Sequence, residues 1–221
     1  MQHEEGKMID FEKLSPAEKI IAIGKLIYDK GYNAGKDGNI SVRLDSKRIL
    51  ITASGALLGF LSEKDLVVVD ANGKAIDSNG KKPSSEIVLH TGIYKERNDI
   101  NAVIHAHAPY CISLSMLDID TENDIYAVSS GPIPITEIAL PSTEESYEKI
   151  RPFIKNRSKA ILRRHGAVSW GKDLLTAFVK LEETEHFAKS LVNALAVKNV
   201  RPVSEEIKRE LFRLWGLGGE K

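Results

Sequence analysis

The sequence predicts a single α+β domain in three layers, a central and mostly antiparallel β-sheet flanked by helices. Three observations predict it. Hairpin signals join short apolar or alternating runs directly to their neighbours. Capped, amphipathic helical stretches are available to pack on the resulting sheet. No repeat, low-complexity tract or linker-like stretch divides the 221 residues.

The first helix runs through SPAEKIIAIGKLIYDKG, where Ser15, Pro16 and Glu18 supply an N-cap, a first-turn proline and a capping-box glutamate. Ile20, Ile23, Leu26 and Ile27 recur at helical spacing and Gly31 is the stop. In GNISVRLDSKRILITASG, Ile40, Val42 and Leu44 alternate, as do Ile49 and Ile51, with DSK between them, which is a β-hairpin pattern. A second hairpin follows, Val67–Val69 meeting an Asn72–Gly73 turn. KKPSSEIVLHTGIYKERND reads as a helix capped by Ser84 or Ser85, with Ile87, Leu89, Ile93 and Tyr94 at apolar positions. AVIHAHA is a strand and a short helix covers 109–117. DIYAVSSGPIPI is extended and STEESYEKIRPFIK helical. KAILRRHGAVSWG forms two short strands around His165 and Gly166, a long helix spans 173–198, and SEEIKRELFRLW closes the chain. Residues 1–14 are expected to be a flexible N-terminal segment and 15–221 the domain.

Composition narrows the function. Lysine plus arginine and aspartate plus glutamate both number 31, so no global charge favours nucleic acid or an anionic membrane, and an anion must be bound by a local device. No apolar run approaches a membrane span, and the acidic N-terminus lacks the apolar core of a signal peptide. The single cysteine, Cys111, excludes an intrachain disulfide and a cysteine-based zinc cluster, which fits a reducing, cytoplasmic setting.

The strand AVIHAHA raises a specific question. Residues i and i+2 of a strand share a face, so the His105 and His107 rings point the same way among apolar neighbours. Either a metal ion satisfies both or they are half-exposed histidines at a strand end. Of the other histidines, His3 lies in the N-terminal segment, His186 sits on the long helix as a surface or packing residue, and His90 follows Glu86 by one helical turn and can share its face. His165, at a strand-end turn, is either a third ligand or a turn histidine; three nitrogens would leave an open position, as catalytic zinc requires. For an anion, Ser84 and Ser85 at a helix start offer free N–H groups and a positive dipole end. Gly38, Asn39, Ser54 and Gly55 permit close backbone approach, although GN and SG pairs are also ordinary turns.

The ordered set GNIS, ITASG, KKPSSE, VIHAHAP and RRHG resembles the class II aldolase/epimerase family, over nearly the whole chain. The resemblance implies one zinc ion per subunit, held by His105, His107 and His165, with Glu86 ligating the resting metal and acting as acid/base once substrate displaces it. It implies a sugar-phosphate substrate anchored by Gly38–Asn39, Ser54–Gly55 and Ser84–Ser85, and a homotetramer with sites between subunits. Tyr126 takes the place of a tyrosine that reaches a neighbouring subunit's site. The implied reaction is reversible aldol cleavage of a ketose 1-phosphate of the L-fuculose type, giving dihydroxyacetone phosphate and a short aldehyde such as L-lactaldehyde. A glutamate at position 86 leans this way, because an aspartate is typical there in the family's pentose-phosphate epimerase. The rivals are epimerisation of L-ribulose 5-phosphate and dehydration of methylthioribulose 1-phosphate. A non-catalytic scaffold such as adducin would lack the three histidines. Two departures stand out: Lys36 and Asp37 occupy a stretch where the family often has threonine, and Trp215 stands where a C-terminal tyrosine is used.

Overall fold

The computed structural model describes residues 10–217 apart from Asn79, Ser130 and Asn199. His3 therefore lies outside the described residues, whereas Phe11–Lys13 form a single 3₁₀ turn and Phe11 packs on the core. Helix α1 is Pro16–Asp29, and its capping box is formed as the sequence predicts, with Glu18 N–H donating to Ser15 Oγ at 3.2 Å and Ser15 N–H to Glu18 Oε2 at 2.8 Å. Strands β1 (Asn39–Arg43), β2 (Arg48–Thr52), β3 (Leu66–Asp70) and β4 (Ala75–Asp77) follow as two hairpins. Helix α2 (Ile87–Glu96), strand β5 (Ala102–Ala106) and the short helix α3 (Pro109–Leu114) come next. The chain continues through α4 (Glu144–Ile154), β6 (Lys159–Leu162), β7 (Gly166–Gly171), α5 (Leu174–Val197) and α6 (Glu205–Leu214).

The seven strands form one sheet in the order β4-β3-β2-β1-β5-β7-β6, and every neighbouring pair is antiparallel. Two apolar cores lie on its two faces. Ile40, Val42, Ala102 and Ile104 meet α1, α3 and α5 on one face. Ile51, Val67, Val103 and Trp170 meet α2 and α4 on the other. The expected three layers result. Each fully buried isoleucine or leucine in these cores contributes roughly 1.5–3 kcal/mol.

This alternation places the chemistry. Odd-numbered residues of β1 and β5 (Asn39, Ser41, Val103, His105) all face the α2 layer, and the register sets Asn39 opposite His105 and Ser41 opposite Val103.

One expectation needs correction. The N-cap position of α2 is Glu86, with no side-chain cap bond, rather than Ser84 or Ser85, although Ser84 Oγ accepts from Glu86 N–H at 3.3 Å just ahead of the helix. The reason is tertiary. Ser84 N–H is already bonded to the Thr52 carbonyl at 3.0 Å, beside a bridge between Ala53 and Pro83, so this stretch extends along the sheet before the helix can begin. Among the described residues of 125–136, Ile135 makes an isolated bridge to Ile161 and no named strand is present.

Candidate active site

The site is assembled at the end of β5. His105 is fully buried there, and its Nδ1–H donates to the Ala167 carbonyl on β7 at 3.0 Å. That bond consigns the proton of a neutral ring to Nδ1 and turns the Nε2 lone pair toward the interior. His107 lies just beyond the strand, where its backbone N–H donates to Asn33 Oδ1 at 2.6 Å. The β5 chain then enters α3, whose first free N–H groups, at Tyr110 and Cys111, donate to the buried Glu185 carboxylate at 2.9 Å each.

His165 arrives from the tight turn between β6 and β7. Its backbone N–H donates to the Leu162 carbonyl, and Arg164 before it takes a left-handed conformation, φ 59°. Gly166 after it is a requirement of space: a Cβ there would overlap the Ala106 carbonyl oxygen and lie 3.1 Å from His107 Cα. The absence of a side chain lets β7 press against the end of β5 and brings the third imidazole into place.

The three rings form a nearly equilateral triangle, with centroids 5.0, 4.7 and 4.8 Å apart. Glu86 closes it: Oε2 is 2.9 Å from His105 Nε2 and Oε1 is 3.6 Å from His165 Nε2. One ligand atom from each of the four residues lies within 4.8 Å of the others. Burial pushes the Glu86 carboxyl upward, but His105, His165 and the Asn39 amide outweigh it and hold it below the usual carboxylate range. Burial lowers His165 to about 4 and lowers His107 as well, so these imidazoles favour the neutral, ligating form.

The donor set fits a divalent cation. His105 Nε2 and Glu86 Oε1 are both buried without a hydrogen-bond partner. With its Nδ1–H given to the Ala167 carbonyl, His105 turns Nε2 to a carboxylate oxygen 2.9 Å away, and a positive charge beside them satisfies both. A proton would relieve that one pair, whereas a metal ion satisfies three imidazoles and a carboxylate together.

Glu86, His107 and His165 line a cleft of about 180 Å³ whose walls also include Gly38, Asn39, Ser54, Gly55, Ser84 and Ser85. All six residues expected to bind phosphate are thus beside the cluster. Gly38 has φ 75°, and a side chain there would collide with the Asn33 amide; Gly55 has φ 73°. The same cleft holds Lys36 and Asp37, the latter 3.4 Å from His107 Nδ1. Asn33 and the left-handed Ser142, φ 62°, belong to the site and were not expected from the sequence. Tyr126 is half-buried against the α1–α5 core and does not line this cleft. Trp215 lines a separate cleft of about 490 Å³. Several of that cleft's cations are already engaged: Arg157 with Glu122, Arg97 with Asp99 and Lys180 with Glu183. His186 is exposed on α5.

Residues 18–192 match the family model described as Class II Aldolase and Adducin N-terminal domain. The chain belongs to the class II aldolase family. It is therefore a metal-dependent lyase, and its cluster of three histidines and a glutamate could hold a divalent metal. Among curated proteins, this aldolase is 36% identical over 188 residues to L-fuculose phosphate aldolase of Methanocaldococcus jannaschii, covering 82% of this chain and 98% of that one. It is 35% identical over 183 residues to 3-oxo-tetronate 4-phosphate decarboxylase of Haemophilus influenzae, covering 80% and 86%. Among solved structures, an L-fuculose 1-phosphate aldolase superposes with a TM-score of 0.80 at 28% identity, over 91% of this chain and 96% of that one. No helix among the described residues is long and apolar enough to cross a membrane.

Proposed function

We propose that this aldolase catalyses reversible cleavage of a ketose 1-phosphate of the L-fuculose type, with zinc as its metal, releasing dihydroxyacetone phosphate and a short aldehyde such as L-lactaldehyde. The observation that carries the proposal is the shared cleft. Glu86, His107 and His165 line the same cleft as the glycine- and serine-rich residues Gly38, Asn39, Ser54, Gly55, Ser84 and Ser85. Relatives named for L-fuculose phosphate support the substrate class. Three nitrogens and a carboxylate suit zinc.

In the cleavage direction a proton leaves the C4 hydroxyl, the C3–C4 bond breaks, and the electron pair remains on C3 as an enediolate. A bound divalent cation supplies positive charge against which that negative charge is stabilised. The residues of the chain do the rest. Ser84, Ser85, Asn39 and the Gly38 and Gly55 backbones hold the phosphate and so fix the carbon skeleton. Glu86 delivers the proton to C3, and removes it in the synthetic direction. Tyr126 of a neighbouring subunit donates its phenolic proton to the aldehyde oxygen in synthesis, and in cleavage its phenolate form takes that proton back from the C4 hydroxyl. This assignment requires an oligomer, a homotetramer in our reading, since Tyr126 does not line its own subunit's cleft. A cytoplasmic location completes the proposal, supported by the lone buried thiol of Cys111.

A second reading has specific support in the decarboxylase relative. Loss of carbon dioxide from a 3-oxo acid phosphate also breaks a carbon–carbon bond and also leaves an enediolate to be protonated. One experiment separates these readings: a panel of aldehydes with dihydroxyacetone phosphate, 3-oxo-tetronate 4-phosphate alone, and L-ribulose 5-phosphate alone, each with and without chelator. Chelator-sensitive condensation with lactaldehyde supports the aldolase. Carbon dioxide release without condensation replaces it, and interconversion of L-ribulose 5-phosphate without cleavage would favour the epimerase.

A further inference from the structure

Beneath the cleft a row of buried polar side chains leads to Glu86. Glu86, His90 and Tyr94 recur every four residues along one face of α2, and β1 presents Asn39 and Ser41 to them from alternate positions. Four contacts join them: Tyr94 Oη to Ser41 Oγ at 2.8 Å, Ser41 Oγ to His90 Nδ1 at 2.6 Å, His90 Nε2 to Asn39 Oδ1 at 2.5 Å, and Asn39 Nδ2 to Glu86 Oε2 at 3.2 Å. His90, Ser41 and Tyr94 are buried, and none of them lines the cleft.

The direction of every bond follows from its far end. An ionised carboxylate only accepts, so Asn39 must turn its Nδ2 to Glu86 and its Oδ1 to His90. An amide oxygen only accepts, so His90 carries its proton on Nε2. Nδ1 of a neutral ring then accepts from the Ser41 hydroxyl, and Ser41 Oγ accepts from Tyr94. All donors point toward Glu86. Burial lowers His90 to about 3, consistent with a ring that stays neutral.

We propose that His90 is a positioning residue, which orients the Asn39 amide so that it grips one oxygen, Oε2, of Glu86 and leaves Oε1 turned to the reacting centre. This rests on the reading of Glu86 as the acid/base. It also gives Asn39 a second duty beside phosphate binding, with one Nδ2–H committed to Glu86 and the other left for a ligand. Without His90 the amide can rotate, offer Oδ1 to the carboxylate and repel it.

The test has two arms. In ¹⁵N-labelled metal-free protein at neutral pH, the His90 ring, assigned by its disappearance in His90→Gln, should show a pyrrole-like Nε2 and a pyridine-like Nδ1. A proton on Nδ1, alone or with Nε2, overturns the proposal without reference to turnover. In the metal-loaded enzyme with L-fuculose 1-phosphate, His90→Leu should lose about tenfold to a hundredfold in kcat, with KM changed less than about threefold. His90→Gln, whose amide can donate to Asn39 Oδ1, should recover most of that loss. Ser41→Ala should lose less than His90→Leu, and Tyr94→Phe least, a gradient with distance from Glu86 that melting temperatures would not follow. Should His90→Leu fold poorly, Ser41→Ala and the Gln rescue decide. Parental kcat in these variants beside an inactive Glu86→Gln rejects the positioning role. Activity in Glu86→Gln itself rejects the acid/base reading instead.

Discussion

Asn39 and His105 stand opposite one another in the register of β1 and β5, and both reach the same oxygen, Glu86 Oε2, at 3.2 and 2.9 Å. Glu86 Oε1 has no hydrogen-bond partner, although it is buried. The carboxylate is thus asymmetric: one oxygen is held by the sheet, and the other is free to meet a metal or a proton.

That asymmetry bears on Glu86→Gln. The amide preserves size and cannot shuttle a proton, so fold and phosphate binding should persist while kcat falls by about 10²–10⁴-fold. Steady-state cleavage assays, with dihydroxyacetone phosphate binding measured calorimetrically, check this. Near-normal turnover removes Glu86 from the chemistry.

Metal retention should depend on each corner of the histidine triangle. His107→Ala should abolish stoichiometric metal in elemental analysis of purified protein. Chelator should lower the melting temperature of the parent, because a ligand bound only by the native state adds stability by mass action, about 4 kcal/mol at a thousandfold excess over Kd. It should not lower that of His107→Ala. Full occupancy in the variant would contradict the ligand set.

Much of this was legible in the sequence, and the failures have a common physical cause. The period of two in AVIHAHA correctly put His105 and His107 side by side, and the period of four correctly put Glu86 and His90 on one buried face. Both are local rules of backbone geometry. The N-cap lies later than expected because the Thr52 carbonyl ties Ser84 to the sheet, and the Ser84 hydroxyl accepts from Glu86 N–H just ahead of the helix. Asn33, which accepts from His107 N–H, and the Ser41–His90–Asn39 row were not foreseen, since each bond joins residues 49 or more positions apart. The five motifs carry residues that line or adjoin one cleft, whereas the antiparallel register sets how they meet.

Gly166→Ala tests the close approach of β7 to β5. The added methyl must displace the Ala106 carbonyl or the His165 turn, at about 1–3 kcal/mol. The loss should appear in urea melts of metal-free protein, and the metal Kd should rise further because His165 leaves its corner. Unchanged stability and metal affinity together would mean that the turn has room to spare.

Acid should destabilise the metal-free protein early. Burial depresses His90 to about 3 and His165 to about 4, from an ordinary value near 6.5. The unfolded chain therefore binds more protons than the native one between these values. Stability is full above pH 6.5 and declines as pH falls toward 4, with His90 extending the decline toward 3. Glu86, held low in the native state, adds to the decline below its ordinary value of 4.5. The limiting slope is about 1.4 kcal/mol per pH unit for each histidine that titrates only on unfolding, and less for the partly exposed His165. Urea midpoints from pH 7 to 4 measure it, and His90→Gln should remove one histidine's share. A flat profile would mean that both rings take up protons in the native state as readily as in the unfolded chain.

Tyr126→Phe separates the two halves of the proposed reaction. Burial raises its phenol above the ordinary value, so the hydroxyl stays protonated at neutral pH and can donate on the aldehyde side. Loss of the hydroxyl should slow cleavage by about 10²-fold while sparing exchange of the dihydroxyacetone phosphate proton, which needs only Glu86. Equal losses in both would reject the aldehyde-side role. Because Tyr126 does not line its own cleft, the missing function should be restorable from a neighbour. Co-expressed Tyr126→Phe and Glu86→Gln subunits, each inactive in cleavage alone, should assemble into oligomers in which some sites pair an intact Glu86 with an intact Tyr126. Activity recovered on mixing, and absent when each variant is purified separately, marks a site built from two subunits. No recovery in demonstrably mixed oligomers confines each site to one chain and leaves the aldehyde end to another donor.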